Sequence, residues 1–391
     1  MAFVGTLLSI VSALDQPQEM NLAYQVSDSV QTASTLPAEQ YTSEKVFEDE
    51  VERLFRREWF PVARVDQLPN VGDYLVHDLF GDEIVLMRDQ TGNLNAFSNI
   101  CLHRGCPILA GAGNVEGNHI SCPYHKWAYE LDGRLRGAPL MEQAEGFITS
   151  SNKLQPLALE AWQGWIFLNI DPAAKPLAPR LVELDEKLSS YGFADLRHVK
   201  TVTFASPWNW KIMVENFLES YHHMGTHPET LNQAFPAQGT YGEKVRGNYL
   251  LLENPSIDPD EIPPFWAGCI LPATLFALIR SDNIPYAVWY QLDIKGRGLF
   301  ELKIHILVHQ SIAENVDAIE AITASTTAIH LEDIPMCEGV WKGVNSHFYK
   351  PGRLSHLEEC LWQFYRYLAI ESDQDSHQSS HQDRPGAGAK P

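Results

Sequence analysis

Cys101-Leu-His103-Arg-Gly and, further on, Cys122-Pro-Tyr-His125-Lys-Trp are the two short motifs that decide how this chain is read, with eighteen residues separating His103 from Cys122. Two cysteines and two histidines arranged as C-x-H and C-x-x-H suit a two-iron, two-sulfide cluster, because thiolates can hold one iron and neutral imidazoles the other. Zinc is the rival occupant of such a set. Arg104-Gly105 and Pro123-Tyr124, which flank the motifs, serve loop turns better than the recognition helix of a zinc finger. The surroundings are punctuated as an all-β domain. From Trp59 to about Ile170, short runs of alternating or β-branched residues are broken by turns such as Asn70-Val-Gly-Asp, Asp89-Gln-Thr-Gly and Asp132-Gly.

A second stretch, Glu215–His227, reads Glu-Asn-Phe-Leu-Glu-Ser-Tyr-His-His-Met-Gly-Thr-His. On a helix Glu219 and His222 share a face, whereas His222 and His227 would lie roughly 140° apart. Convergence of the two imidazoles requires a distortion, and Gly225 and Pro228 are placed to supply it, the helix loosening at the glycine and ending before the proline. Two histidines and a carboxylate with open positions make a non-haem iron(II) site for dioxygen. The alternative is an amphipathic helix with surface histidines.

Composition limits the functions available. The 391 residues suffice for two domains, and 45% hydrophobic with 20% charged residues describes a globular chain. A formal charge of −21 argues against nucleic acid and anionic membranes as partners. The apolar start Phe3–Leu14 has no basic residue before Lys45, which is not the pattern of a signal or transit peptide, and no run is long enough to span a bilayer, so a cytoplasmic protein is expected. Six cysteines are too few and too scattered for a disulfide framework.

The expected organisation is an extension at 1–40, rich in Ser, Gln, Ala and Thr; a domain at 41–175 whose opening helix is Glu44–Glu58; a Pro-rich boundary at Asp171–Pro179; a mixed domain at 176–370; and a disordered tail at 371–391. Within the mixed domain the patterns predict a strand at Thr201–Phe204, a helix at Trp208–Met224, and antiparallel strands at Ala273–Arg280, Tyr286–Asp293 and Leu299–His309. A helix over Ile312–Asn345, broken or kinked near Pro335, follows, and the stripe Leu354, Leu357, Leu361, Phe364, Leu368 predicts a C-terminal helix.

With these motifs in view, the N-terminal domain resembles a Rieske domain, and about residues 40–370 resemble the large (α) subunit of a Rieske non-haem iron oxygenase. The resemblance implies an α+β fold in which an all-β Rieske domain is followed by a helix-grip catalytic domain with an antiparallel sheet and a long C-terminal helix. It implies a [2Fe-2S] cluster on Cys101, His103, Cys122 and His125, and a mononuclear iron on His222, His227 and Asp333, the last in Leu331-Glu332-Asp333-Ile-Pro-Met-Cys-Glu338. On spacing alone Asp333 is no better than Glu332 or Glu338. Glu219 then becomes the carboxylate that bridges, between neighbouring subunits, the second cluster histidine and the first iron ligand. Cys106 has no partner in the second loop, which sets the chain apart from respiratory Rieske proteins, and Lys126 stands where the family usually has Gly.

The resemblance also implies a closed trimer and, since the chain carries neither a dinucleotide motif nor a plant-type ferredoxin cysteine set, a separate NAD(P)H-dependent reductase or ferredoxin. The spacing of Gly111, Gly113 and Gly117 is wrong for a nucleotide loop. Glutamate rather than aspartate at 219 is similar to the carnitine- and glycine-betaine-type members. Hydroxylation or oxidative N-demethylation of a small molecule is therefore expected, with Trp266, Phe276, Trp289 and Tyr290 as pocket residues able to cage a quaternary ammonium; the same aromatics could equally stack on an aromatic ring or fill the core between sheet and helices. The alternatives are a ring-hydroxylating dioxygenase that forms cis-dihydrodiols and, of another class, an electron-transfer or redox-sensing protein without catalytic iron.

Overall fold

In the computed structural model the described residues are 26–243, 247–281 and 283–373. The expected tail from 374 onward and the first 25 residues of the extension lie outside them. Three antiparallel sheets build the N-terminal domain. Asp73–Leu79, Asp82–Arg88, Leu94–Ser98 and Ala112–Asn114 form the first; His119–Ser121, Ala128–Glu130 and Leu135–Gly137 the second; Phe60–Arg64, Ala158–Trp162 and Trp165–Asn169 the third. Between the first two, alternating apolar residues close a compact core of Val85, Met87, Phe97, Ile120 and Tyr129. Cys101 and Cys122 belong to this core, so the cluster loops are anchored by packing.

The C-terminal half is built on a seven-stranded antiparallel sheet ordered Leu196–Ser206, Leu299–His309, Ile284–Gly296, Thr274–Ser281, Phe265–Ile270, Tyr249–Asn254, Tyr241–Gly242. Side chains alternate across it. Val288, Tyr290 and Leu292 join the core beneath the helices Trp210–Phe217 and Val316–Val344, while Ala287 and Trp289 join the core shared with Trp165 and Phe167 of the N-terminal domain. Trp165 stacks on Trp289 at 4.8 Å, which locks the third sheet against the back of the large one.

Several boundaries differ from the sequence expectation. The predicted extension is tightly bound from residue 30 onward: Val30, Ala33 and Leu36 are buried in the main core. The helix placed with the N-terminal domain, Glu44–Arg53, reaches across to the catalytic half, where Glu50 accepts from Trp210 Nε1 at 3.0 Å and pairs with the buried Lys211 at 2.5 Å. The predicted helix Trp208–Met224 is two helices, Trp210–Phe217 and His223–Thr226. The break falls before the histidines, at Leu218–Tyr221, rather than at Gly225. There Ser220 Oγ donates to Asn254 and Glu219 takes the His222 N–H, so side chains compete with the helical hydrogen bonds.

Pro335 does not break the long helix, which runs continuously from Val316 to Val344. A proline at 335 removes the hydrogen bond to the Leu331 carbonyl, and Leu331 lies on the exposed side where water can replace it. The C-terminal helix begins at Glu359, later than the apolar stripe suggests. No helix among the described residues is long and apolar enough to cross a membrane.

Candidate metal centres and active-site cavity

The cluster residues sit at the tips of two loops. Cys101 and Cys122 are buried, and the Tyr129 hydroxyl lies 3.2 Å from Cys101 Sγ while accepting from Leu102 N–H. The two imidazoles bring their Nδ1 atoms to 3.1 Å of each other, with His103 stacked on Trp127 and His125 exposed. Metal–nitrogen bonds of about 2.1 Å at a tetrahedral angle put neighbouring ligand atoms roughly 3.4 Å apart, so the two nitrogens fit one iron. Buried thiols on one side and solvent-facing imidazoles on the other fit a [2Fe-2S] cluster whose histidine-bound iron faces outward. Cys106 is unpaired with any cysteine.

Lys126 lies in the second loop with φ +57°, and its N–H closes a turn on the Cys122 carbonyl at 3.1 Å. The left-handed conformation explains why a glycine suits this position.

The second constellation forms where the turn after Trp210–Phe217 faces the long helix. His222, His227 and Asp333 each offer one atom, all within 4.8 Å of one another. Asp333 Oδ1 is 3.0 Å from His227 Nε2 and 3.6 Å from His222 Nε2. Three ligands at about 2.1 Å on one face of an octahedron would be roughly 3.0 Å apart, and the distances from Asp333 to the two imidazoles are near that spacing.

Each imidazole is also held from behind. His222 Nδ1 donates to Glu219 Oε1 at 2.6 Å, and His227 Nδ1 to Glu332 Oε2 at 2.6 Å, with Thr230 donating to the same oxygen. A carboxylate on Nδ1 fixes the tautomer that leaves Nε2 free for metal. Asn216 steadies Asp333 by donating to Oδ1 at 3.2 Å. Burial disfavours charge on His227, but the Asp333 and Glu332 carboxylates outweigh it and hold the imidazole above its ordinary value. His223 turns away to the Phe235 carbonyl, and burial drops it to about 4.

The structure thus separates the three acids of the Glu332–Glu338 segment that spacing leaves equal. Asp333 faces both histidines, Glu332 supports one of them from outside, and Glu338 has no part in either contact.

A cavity of about 90 Å³ opens beside the triad. Of the four aromatics predicted to line it, only Tyr290 does. Trp266, Phe276 and Trp289 pack on the opposite face of the sheet, in the core shared with Trp165. The reason is the period of a strand: Trp289 and Tyr290 are neighbours and must point to opposite faces. Phe217 and Phe265 take the vacated role, with Phe217 edge-on to Tyr290 at 4.8 Å. Phe265 is the sequence neighbour of Trp266, whereas Phe217 and Asn216 carry no signal apart from their closeness to His222.

Comparison with known proteins identifies the two halves of the chain. Residues 58–155 match the Rieske [2Fe-2S] domain, and residues 193–261 and 294–370 match the ring hydroxylating alpha subunit catalytic domain. The chain belongs to the Rieske non-haem iron oxygenases, as an oxygenase α subunit that carries a [2Fe-2S] cluster and a mononuclear non-haem iron and draws electrons from a separate reductase. The zinc and electron-carrier alternatives are set aside accordingly.

Among its relatives is the carnitine monooxygenase oxygenase subunit of Acinetobacter pittii (strain PHEA-2), 29% identical over 332 residues, covering 81% of this chain and 87% of that one. A crystal structure of the quaternary ammonium Rieske monooxygenase CntA in complex with an inhibitor aligns with a TM-score of 0.76 at 26% identity, over 88% of this chain and 96% of that one. Naphthalene 1,2-dioxygenase from Rhodococcus sp. aligns with a TM-score of 0.72 at 21% identity, over 86% and 94%, a likeness of fold alone.

Proposed function

We propose that this oxygenase oxidises a small quaternary ammonium compound at a carbon bonded to nitrogen, with Cys101, His103, Cys122 and His125 holding the cluster and His222, His227 and Asp333 the catalytic iron. The observation that carries the substrate class is the make-up of the cavity. Phe217, Phe265 and Tyr290 offer aromatic surface to a cation, Glu219 and Asp333 line the same space, and among the described lining residues none is Lys or Arg. The cavity of about 90 Å³ is partly open, with room for a small head group beside the triad.

When bound, the iron supplies dioxygen activation and the cluster supplies electrons singly. The chain's own residues do the rest. Glu219 and Glu332 hold the His222 and His227 rings with Nε2 turned to the metal position. The aromatic walls press an N-methyl group against that corner and exclude water. Overall, a C–H bond gives way to a C–O bond, the second oxygen atom leaves as water, and two electrons and two protons are consumed.

Glu219 is also placed to connect subunits. It serves His222 with both oxygens, and a carboxylate has further lone pairs to offer. The exposed His125 of a neighbour, whose Nδ1 belongs to the cluster, has Nε2–H free to use them. Such a link requires more than one copy, and a trimer is the closed ring we assign; an NAD(P)H-dependent reductase, directly or through a ferredoxin, reduces it. The four cysteines outside the cluster, Cys106, Cys269, Cys337 and Cys360, are not in disulfides, which suits a reducing compartment such as the cytoplasm. We likewise assign residues 41–175 and 176–370 as the Rieske and catalytic domains, with Glu44–Arg53 as a strap between them.

The test is oxygen uptake with a matched reductase on carnitine, glycine betaine, choline and benzoate, coupled to product analysis. The expected result is an aldehyde or a demethylated amine from an ammonium substrate in proportion to oxygen consumed. Turnover of benzoate alone would overturn the substrate class.

A further inference from the structure

His330 is the buried polar side chain in the catalytic cavity that the account above leaves without a task. It lies on the long helix one turn before Asp333, is 2% exposed, and lines the cavity beside Tyr290 and Asp333. One side of its ring is held by apolar packing, with Phe204 edge-on at 4.6 Å. Neither ring nitrogen has a hydrogen-bond partner among the described residues.

Leaving both polar atoms of an imidazole unpaired in a core costs about 1–3 kcal/mol for each group, and buried polar atoms nearly always find a partner. A phenylalanine or leucine would fill the same space without that cost. The pattern fits a residue whose partner arrives with the ligand.

We propose that His330 is a specificity residue that hydrogen-bonds an uncharged oxygen of the substrate, a hydroxyl on a carbon near the quaternary nitrogen; this rests on the ammonium reading above. A hydroxyl both donates and accepts, so it can pair with whichever ring nitrogen the tautomer presents. A carboxylate only accepts, and it would enter a space already lined by Glu219 and Asp333 with no described Lys or Arg to receive it. The ligand is therefore an ammonium alcohol that places its methyl groups among Phe217, Phe265 and Tyr290 and its hydroxyl at His330. Binding and orientation are the residue's contribution, and it takes no part in bond making.

The experiment is calorimetric titration of the anaerobic, cluster-containing protein with choline, tetramethylammonium and glycine betaine, for wild type, His330→Leu and His330→Gln. The visible absorbance of the cluster and the melting temperature verify folding of each variant. Wild type is expected to bind choline about tenfold more tightly than tetramethylammonium, the worth of one well-made hydrogen bond, and glycine betaine no better than tetramethylammonium. His330→Leu should erase the preference for choline while leaving the Kd for tetramethylammonium within about twofold, and His330→Gln should restore part of it.

Equal loss of both ligands in His330→Leu, or an unchanged preference for choline, would overturn the role of His330 while leaving the ammonium class standing. Absence of binding by every ammonium to wild type would remove the class itself and this proposal with it. Tighter binding of glycine betaine than of choline, lost on His330→Leu, would overturn the choice of an uncharged oxygen.

Discussion

The two metal centres of this chain are built on opposite principles. At the cluster, the thiols are sunk in a β core and the histidines are presented outward on loop tips, with His125 exposed. At the mononuclear site the inverse holds: His227 is 1% and Asp333 7% exposed, and every imidazole is braced by a carboxylate from behind. An electron must be able to leave the first site through its ligands, whereas the second must keep water out while admitting dioxygen and a small molecule. The difference teaches where the sensitivities lie. Function at the cluster depends on what touches its outer edge, and function at the iron depends on what stands behind its ligands.

Glu219, proposed to link the two centres, is expected to show the largest effect. Glu219→Leu should leave the cluster bound and, once the mononuclear site it also supports is reloaded with iron(II), slow reoxidation of the reduced cluster in the presence of oxygen and substrate by about 100-fold, the upper range for an outer-sphere partner. Stopped-flow absorbance measures this, and an unchanged rate would sever the proposed link to His125. Glu332→Gln touches only the enclosed site. A tenfold weaker hold on mononuclear iron is expected, read by iron retention against a chelator, with the cluster spectrum untouched. Loss of cluster in this variant would erase the contrast between the two centres.

Behind the iron site, Glu215 is half-buried against Tyr41, whose hydroxyl donates to it at 2.7 Å. Burial pushes its carboxyl from 4.5 up to about 7. The folded chain therefore retains a proton that the unfolded chain releases as pH rises from about 4.5 to about 7, and stability falls across that window. Glu215→Gln should remove this fall. Its melting temperature should exceed that of wild type at pH 8, by on the order of 2 kcal/mol in stability, and the gap should close toward pH 5. A gap of the same size at both pH values would contradict the assignment. The smallest effect is expected at the cluster's edge, where Lys126→Gly relieves a left-handed backbone and should gain about 1 kcal/mol in chemical unfolding. A loss there would show that the lysine side chain itself supports the loop.

How much of this was legible in the sequence follows the same division. The proposed cluster site is legible in sequence because its four candidate ligands lie in two compact loops. The iron site could be read only in part. His222 and His227 are neighbours in sequence, but Asp333 reaches them through the packing of a helix more than a hundred residues on, and Glu332 and Asp333 exchange roles under a rotation of that helix by about 100°. The break at Leu218–Tyr221 was hidden because it depends on Asn254, a residue of a distant strand. Pocket aromatics were misjudged because a strand lining a cavity on one face and a core on the other is apolar on both, and Trp289 and Tyr290 differ only in parity. His330 gave no signal, since an unpartnered imidazole is a property of the fold. Tyr41 and Leu36 were likewise masked by the polar residues around them.

The central claim, two centres on two independent ligand sets, is tested most directly by iron and acid-labile sulfide analysis of anaerobically purified wild type, Cys122→Ser and His227→Ala. The account predicts about three irons and two sulfides per chain for wild type. His227→Ala should give about two and two with the cluster spectrum intact, while Cys122→Ser should lose the sulfide and keep at most about one iron. Two irons in wild type that do not change in His227→Ala, after loading with iron(II), would contradict it.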